Sequence, residues 1–405
     1  LIRADGPVKK GFSMRSLLRP ALAGLVAVGA GMAVGQLVAA LTHPAADPVI
    51  AVGSAVIDAT PTSIKEFAVR TVGTKDKSLL LLGIVVVLGL LAAFFGIVGR
   101  RRRRWGLTGV VAFTAIGVVA ALTRRTAEPI DALPSLVAGA ATAAALLTLL
   151  ASLRASVAAT EADERSGPAL AGQSTMETRS IVGTGPVPPH RWARRFERRG
   201  FLAASALVVG GALAAGATAY GVRRASGNAA DTAREAIRLP SPASPGQPVP
   251  AGVDPDFITP NASFYRVDTA LTVPRIDVGS WQLTIHGMVG RPLQLSFDDL
   301  LRRPLVERII TLNCVSNEVG GPYIGTARWI GTPLGSLLQE AGVQAGADQI
   351  VARSTDGMTI GTPVATVLDG RDTLVCVGMN GEPLTLEHGF PVRMLTPGLY
   401  GYAGS

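Results

Sequence analysis

Few side chains in this sequence could do redox, metal or nucleophilic chemistry. There are two cysteines, Cys314 and Cys376, and four histidines, His43, His190, His286 and His388. No CxxC, HExxH or zinc-type cluster joins them. There is no strained serine turn of the hydrolase kind, and no glycine-rich phosphate loop of the Rossmann or P-loop form. Cys314 stands out by its setting, Thr311-Leu312-Asn313-Cys314-Val315-Ser316-Asn317-Glu318-Val319-Gly320-Gly321. A single cysteine after an apolar strand is commonly a packing residue. Against that, the residues after it are small and polar, which suits a loop at a sheet edge. The glycine pair would also let backbone approach a bulky ligand. A thiolate there would be a nucleophile or a ligand for a soft metal. Cys376, in Leu374-Val375-Cys376-Val377, has an apolar setting and reads as structural. Nothing aims the two thiols at each other, so no disulfide is expected.

The elements that must position Cys314 lie in the C-terminal part. Residues Trp281–His286 alternate like a strand, and Phe297–Leu301 suggests a short helical turn. Val306–Asn313 reads as a β-branched strand running into the cysteine. Thr332-Pro333 is expected to open a helix with Thr as N-cap. Leu337, Leu338 and Ala341 form its apolar face and Gly342 stops it. Ile350–Arg353, Thr373–Gly378 and Pro391–Leu395 are further strand candidates, with Asn380-Gly381 as a turn. The pattern is α+β with a mixed sheet, without regular βαβ alternation.

The N-terminal part is of another kind. Hydrophobic residues make up 48% of the 405-residue chain and charged ones 17%, while the net charge is +9. That composition excludes a disordered chain, and two cysteines exclude a disulfide scaffold. Five stretches are long and apolar enough to cross a bilayer: residues 17–41, 79–98, 105–122, 133–153 and 201–222. No histidine sits mid-span, which argues against a haem held between the helices. The positive charge gathers at span ends. Lys9, Lys10 and Arg15 precede the first span, Arg19 lies in its first turn, and Arg100–Arg104 separates the second from the third. Arg191, Arg194, Arg195, Arg198 and Arg199 precede the fifth. Cytoplasmic loops are enriched in Lys and Arg, so these segments are expected inside and everything after the fifth span outside. Arg124 and Arg125 fall on the outer side as a minor violation. Nucleic acid is not an expected partner, since the arginine run is an orientation signal.

The approach to the fifth span, Glu197-Arg198-Arg199-Gly200-Phe201-Leu202, has two readings. It resembles a twin-arginine export signal, which carries folded proteins, and it also suits an ordinary basic flank. Ala217-Thr218-Ala219 has the small-x-small look of a cleavage site, though an uncleaved anchor is expected. The resulting division is a transmembrane region over 1–222, a Pro-rich extended linker over 223–256 and a globular domain over 257–405.

Residues 257–405 resemble the molybdopterin-binding domain of the sulfite oxidase family, nearest its exported bacterial branch. Five ordered segments carry the likeness: Asn261 with Phe264-Tyr265-Arg266, Cys314 itself, Trp329-Ile330-Gly331-Thr332-Pro333-Leu334, Thr355, and His388-Gly389-Phe390-Pro391-Val392-Arg393. The resemblance implies a sulfite-oxidase-type fold, a molybdenum–molybdopterin cofactor and oxygen-atom transfer to or from a small substrate. It implies Cys314 as metal ligand, and Asn261, Tyr265, Arg266, Thr355, His388 and Arg393 as residues that hold the pterin. A soft thiolate suits such a metal, and Arg393 suits the pterin phosphate. Glu318 and Val319 stand where animal and plant sulfite oxidases carry arginines, and a tyrosine those enzymes have near Asp356–Ile360 is missing. Sulfite is therefore not the expected substrate. The chain opens on Leu1 and stops at Ser405 in a Gly/Tyr-rich stretch. The last cofactor segment and an immunoglobulin-like dimerisation domain are expected beyond it, the latter implying a homodimer. An electron-transfer partner and the lipid bilayer complete the expected partners. The alternative is an inactive, membrane-tethered binding module that keeps the fold.

Overall fold

The computed structural model describes residues 14–61, 64, 76–165, 192–249, 252, 257–268 and 270–404. Lys9, Lys10, His190 and Arg191, and Pro250 and Pro255 of the expected linker, lie outside the described residues. The chain divides into two compact units. One comprises Leu1–Ala55, Ser78–Thr123 and Glu128–Gly221. The other comprises Val222–Ser405 with the short segments Val56–Lys77 and Arg124–Ala127.

The first unit is helical. Long helices cover Met14–Leu41, Asp76–Arg101, Arg103–Leu122 and Leu133–Arg165, with a shorter one at Pro48–Ala59. A further long helix, Trp192–Ala236, begins in this unit. Among the described residues, five helices are long and apolar enough to cross a membrane: Leu17–Leu41, Leu79–Arg101, Arg103–Leu122, Pro129–Arg154 and Leu202–Ala236. Small residues let two of them meet closely. Ala23, Ala27 and Ala30 of the first pack against Leu146, Leu149, Leu150 and Leu153 of the fourth. The His43 ring Nδ1 is hydrogen-bonded to the buried Asp131 carboxylate at 2.8 Å.

The helix through the fifth apolar stretch ends at Ala236, not near Val222. Residues 223–236, expected as linker, are Ala- and Arg-rich and contain no proline, so nothing stops the helix before Pro240. Within the second unit the helix end is docked. Ala230 is buried in the core. Arg234 donates to the Leu384 and Pro383 carbonyls at 3.0 and 3.2 Å and pairs with Glu382 at 3.1 Å. The proline-rich stretch that follows is pinned too. The Ala243 N–H donates to the Leu305 carbonyl and the Glu307 N–H to the Ser244 carbonyl, both at 2.8 Å.

Among the described residues, the second unit is built on three antiparallel sheets. β1 (Gln282–Ile285) pairs with β2 (Leu293–Ser296). β5 (Gln349–Arg353) pairs with β6 (Thr359–Pro363). The main sheet joins β3 (Val306–Asn313), β4 (Ile324–Pro333), β7 (Leu374–Met379) and β8 (Glu382–Pro383), with β9 (Arg393–Leu395) also on β7. The expected mixed sheet is thus corrected: every strand pair among the described residues is antiparallel. Short connections suit this for β1 to β2, β3 to β4, β5 to β6 and β7 to β8, because an antiparallel pair needs only a turn. β4 and β7 are also antiparallel, though a long stretch carrying β5, β6 and two helices joins them. β7 is the central strand and is buried throughout, which accounts for its apolar sequence.

The expected helix start at Thr332-Pro333 is also corrected. Both residues belong to β4, and the helix runs from Leu334 to Ala341 with Pro333 as its cap. Thr332 pairs with Val375 in the sheet, and its buried hydroxyl caps nothing. Gly342 does end the helix, in the left-handed conformation (φ 68°) that glycine adopts without strain.

Candidate cofactor site

Cys314 follows directly on β3, at the start of the loop to β4. Its N–H donates to the Tyr323 carbonyl at 2.9 Å, and its carbonyl accepts from the Asn317 N–H at 3.0 Å. The Asn317 side chain closes the loop by accepting from the Tyr323 N–H at 2.8 Å. These bonds fix the cysteine backbone before any ligand is considered. The thiol is free and buried, with its Sγ 3.0 Å from the Ser316 hydroxyl. Cys376 is also free, and burial pushes its thiol up to about 12, so it stays an uncharged core residue.

Cys314 faces a cavity of about 870 Å³ within the second unit. Five other residues singled out in the sequence share its wall: Tyr265, Arg266, Thr355, His388 and Arg393. They come from separate places. Tyr265 and Arg266 follow a short helical turn at Asn261–Ser263, and Thr355 sits on the turn between β5 and β6. His388 ends the short turn Leu386–His388, and Arg393 opens β9. Asn261 is outside the wall. Its side-chain oxygen accepts from Asn380 at 2.8 Å, and its amide donates to the Met379 carbonyl at 3.3 Å. It thereby secures the Asn380-Gly381 turn, where Asn380 has a positive φ of 53°.

An aromatic cluster backs the wall. Phe264 meets Trp329 and His388 edge to face, at centroid distances of 5.8 and 5.4 Å. The fully buried Trp329 donates its indole N–H to the Ile310 carbonyl at 3.2 Å. The Arg393 guanidinium lies 5.8 Å from the Trp329 ring centroid, a cation–π distance. Its hydrogen bond among the described residues goes to the Gly401 carbonyl at 3.0 Å, and it has no carboxylate partner there. Burial lowers its pKa from the usual value, but a guanidinium stays charged. Most of its five N–H donors are therefore unspent beside a cavity. Gly401 also leaves room for Tyr265, since a Cβ there would lie 2.7 Å from the Tyr265 hydroxyl. Burial pushes Tyr265 up to about 12, with Arg393 opposing and Cys314 adding to the rise, so its phenol stays protonated and can donate.

Arg266 is already paired with Asp268 at 2.5 Å. Both ring nitrogens of His388 are engaged, Nδ1 with the Thr385 hydroxyl at 2.6 Å and Nε2 with the Phe264 carbonyl at 3.2 Å. With Nε2–H donating to that carbonyl, Nδ1 accepts from the hydroxyl. Burial lowers the His388 pKa below the ordinary 6.5. Protonation is therefore taken up more readily by the unfolded chain, and the folded state is penalised as pH falls below 6.5 toward the depressed value. We expect urea stability to decline over that window in the natural chain, with a smaller decline in His388→Gln; equal slopes would show that His388 does not titrate this way.

Sequence reasoning missed several wall residues. Ser316, His286, Arg353 and Tyr402 line the cavity, and Ser316 alone among them touches the thiol. Its place two residues after the cysteine was the available signal. Glu318 and Val319 are exposed and outside the wall.

A buried thiol, an unspent guanidinium and a protonated phenol on one large cavity make up a site for a bulky anionic cofactor with a soft centre. The comparisons agree. Residues 270–405 match the family model described as an oxidoreductase molybdopterin binding domain. Human mitochondrial sulfite oxidase is 34% identical over 181 residues, covering 38% of this chain and 33% of that protein. Nitrate reductase [NADH] 1 of Oryza sativa subsp. japonica is 33% identical over 172 residues, covering 36% of this chain and 19% of it. The uncharacterized oxidoreductase YuiH of Bacillus subtilis is 33% identical over 124 residues, covering 31% of this chain and 60% of it. The matched region spans about a third of the human enzyme's length. The C-terminal unit thus carries a molybdopterin-binding oxidoreductase domain. That domain is similar to those of sulfite oxidases and nitrate reductases, which implies molybdenum held by molybdopterin as its cofactor. The residues present fit that group: a cavity of sufficient volume, a thiol in its wall, and a cation without a carboxylate for the pterin phosphate.

Proposed function

We propose that this chain is a membrane-anchored molybdenum oxidoreductase that moves an oxygen atom to or from a small substrate outside the cytoplasm. The observation that carries this reading is the Cys314 thiol sharing one cavity with Arg393 and Tyr265. The molybdenum cofactor, when bound, supplies a two-electron redox centre able to give or take an oxygen atom. The chain's own residues do the rest. Cys314 binds the metal as thiolate, the form a soft metal needs. Arg393 takes the phosphate with its free N–H groups. Tyr265 donates from its phenol, and Thr355 offers a hydroxyl from the β5–β6 turn. Arg266 adds positive charge, moderated by Asp268. His388, with both nitrogens engaged, holds Phe264 and the wall in place. The aromatic cluster keeps water from that side of the cavity.

The five apolar helices and the basic run Arg100–Arg104 support a multi-pass membrane protein with that run in the cytoplasm. The globular unit then lies on the opposite side. Molybdopterin is inserted into folded protein, so an exported domain needs a folded-protein route. The Arg198-Arg199 pair before Phe201-Leu202 supports such a route. An electron-transfer partner and a small substrate are required by the chemistry, and a homodimer fits the family resemblance. Glu318 and Val319 stand where the resemblance places arginines for an anionic substrate, and that loss of cations supports a substrate other than sulfite.

A second reading, an inactive tethered module, is favoured by that same loss of arginines. Assay of the membrane-purified chain against S-oxides, N-oxides and reduced sulfur compounds with an artificial electron mediator separates the two. Turnover of at least one class is expected of the enzyme. Molybdenum-loaded protein that turns over none supports the module.

A further inference from the structure

The loop after β3 brings one hydroxyl onto the Cys314 sulfur. The Asn317 N–H donates to the Cys314 carbonyl at 3.0 Å, closing a tight turn whose third residue is Ser316. That turn folds the Ser316 side chain back toward the cysteine, with Oγ 3.0 Å from Sγ. Either atom of a free thiol–hydroxyl pair could donate. A cysteine that ligates a metal has no proton left, so in the loaded protein the hydroxyl must be the donor. Among the described residues Ser316 makes no other hydrogen bond, and none but Ser316 is bonded to this sulfur. Ser316 is exposed toward the cavity it lines, so it carries no weight in the core.

We propose that Ser316 is a positioning residue for the metal centre, donating a hydrogen bond to the Cys314 thiolate and thereby setting its reduction potential. The proposal rests on Cys314 as the molybdenum ligand. The physical cause is direct. A hydrogen bond to a ligand sulfur withdraws electron density from it, so the sulfur gives less to the metal. The lower oxidation state is then favoured and the potential rises. Hydrogen bonding to ligand sulfurs is a known lever on metal potentials. The bond also fixes one Cys314 rotamer, which holds the sulfur toward the cavity without the metal having to order it.

Two variants test it, Ser316→Ala and Ser316→Thr, in the full membrane-purified chain. The readouts are molybdenum content, the Mo(V) electron paramagnetic resonance spectrum and the Mo(VI)/Mo(V) midpoint potential by mediator titration. The alanine variant removes a methyl-sized hydroxyl at an exposed position, and circular dichroism checks its fold. We expect it to keep its molybdenum, to change its Mo(V) spectrum and to be about tenfold harder to reduce, which is about 59 mV downward for one electron. Threonine, which keeps the hydroxyl, restores both. Metal lost in alanine and regained in threonine also supports the role. A loaded alanine variant with unchanged spectrum and potential overturns it, even where substrate affinity falls, since that would make Ser316 a substrate contact. Folded variants that both lose metal overturn it as well. A natural chain that holds no molybdenum overturns the Cys314 ligation on which the proposal stands, and the two failures are thereby told apart.

Discussion

Replacing Cys314 by alanine is expected to leave a folded domain with little bound molybdenum. The cysteine lies in a loop whose shape is set by backbone bonds and by the Asn317 side chain, none of which involves its sulfur. The fold should therefore tolerate the change at the small cost of one buried thiol. The metal should not, because it would lose the protein's one thiolate in the cavity wall. Cys376→Ala is the matched control. Its thiol is fully buried on β7 and held protonated, so its loss should lower stability by the usual cavity cost and leave the metal content unchanged. Inductively coupled plasma analysis beside a denaturation curve reads both. Metal loss in Cys376→Ala with retention in Cys314→Ala would reverse the assignment.

The second large effect is expected at Arg393. Arg393→Leu removes the cation that faces the cavity without a carboxylate, together with its bond to the Gly401 carbonyl. Cofactor retention should fall by about 10- to 100-fold, the usual cost of losing a supporting contact at a metal site. Arg393→Lys should recover only part, because an ammonium restores charge without the planar fork. The check is the rate at which molybdopterin is lost during gel filtration. Equal retention in the leucine variant would mean that the phosphate binds elsewhere.

Much of the framework was legible in the residues. The strand Val306–Asn313 is read from its β-branched run, and the Asn380-Gly381 turn and the stop at Gly342 from their residue types. These are local signals, set by sterics within a few residues. Cys314 was legible by its place at the end of that strand. What was not legible depends on partners distant in sequence. β4 hid in Trp329-Ile330-Gly331-Thr332-Pro333 because its small and turn-forming residues are tolerated only between β3 and β7. The antiparallel sheet could not be read because register is set between strands, not within them. The helix through residues 223–236 was masked by the prolines just after it. At the site, the motif residues were found, but not their division of labour. Asn261 serves a turn, His388 spends both nitrogens inside the wall, and Ser316, two residues from the cysteine, touches its sulfur.

The central claim is that Cys314 and its cavity hold a molybdenum cofactor in this chain. Its most direct test is the metal and pterin content of the full chain, purified from membranes of cells able to make the cofactor. Molybdenum and releasable molybdopterin near one equivalent per chain are expected, both lost in Cys314→Ala. A folded natural chain that carries neither would contradict it.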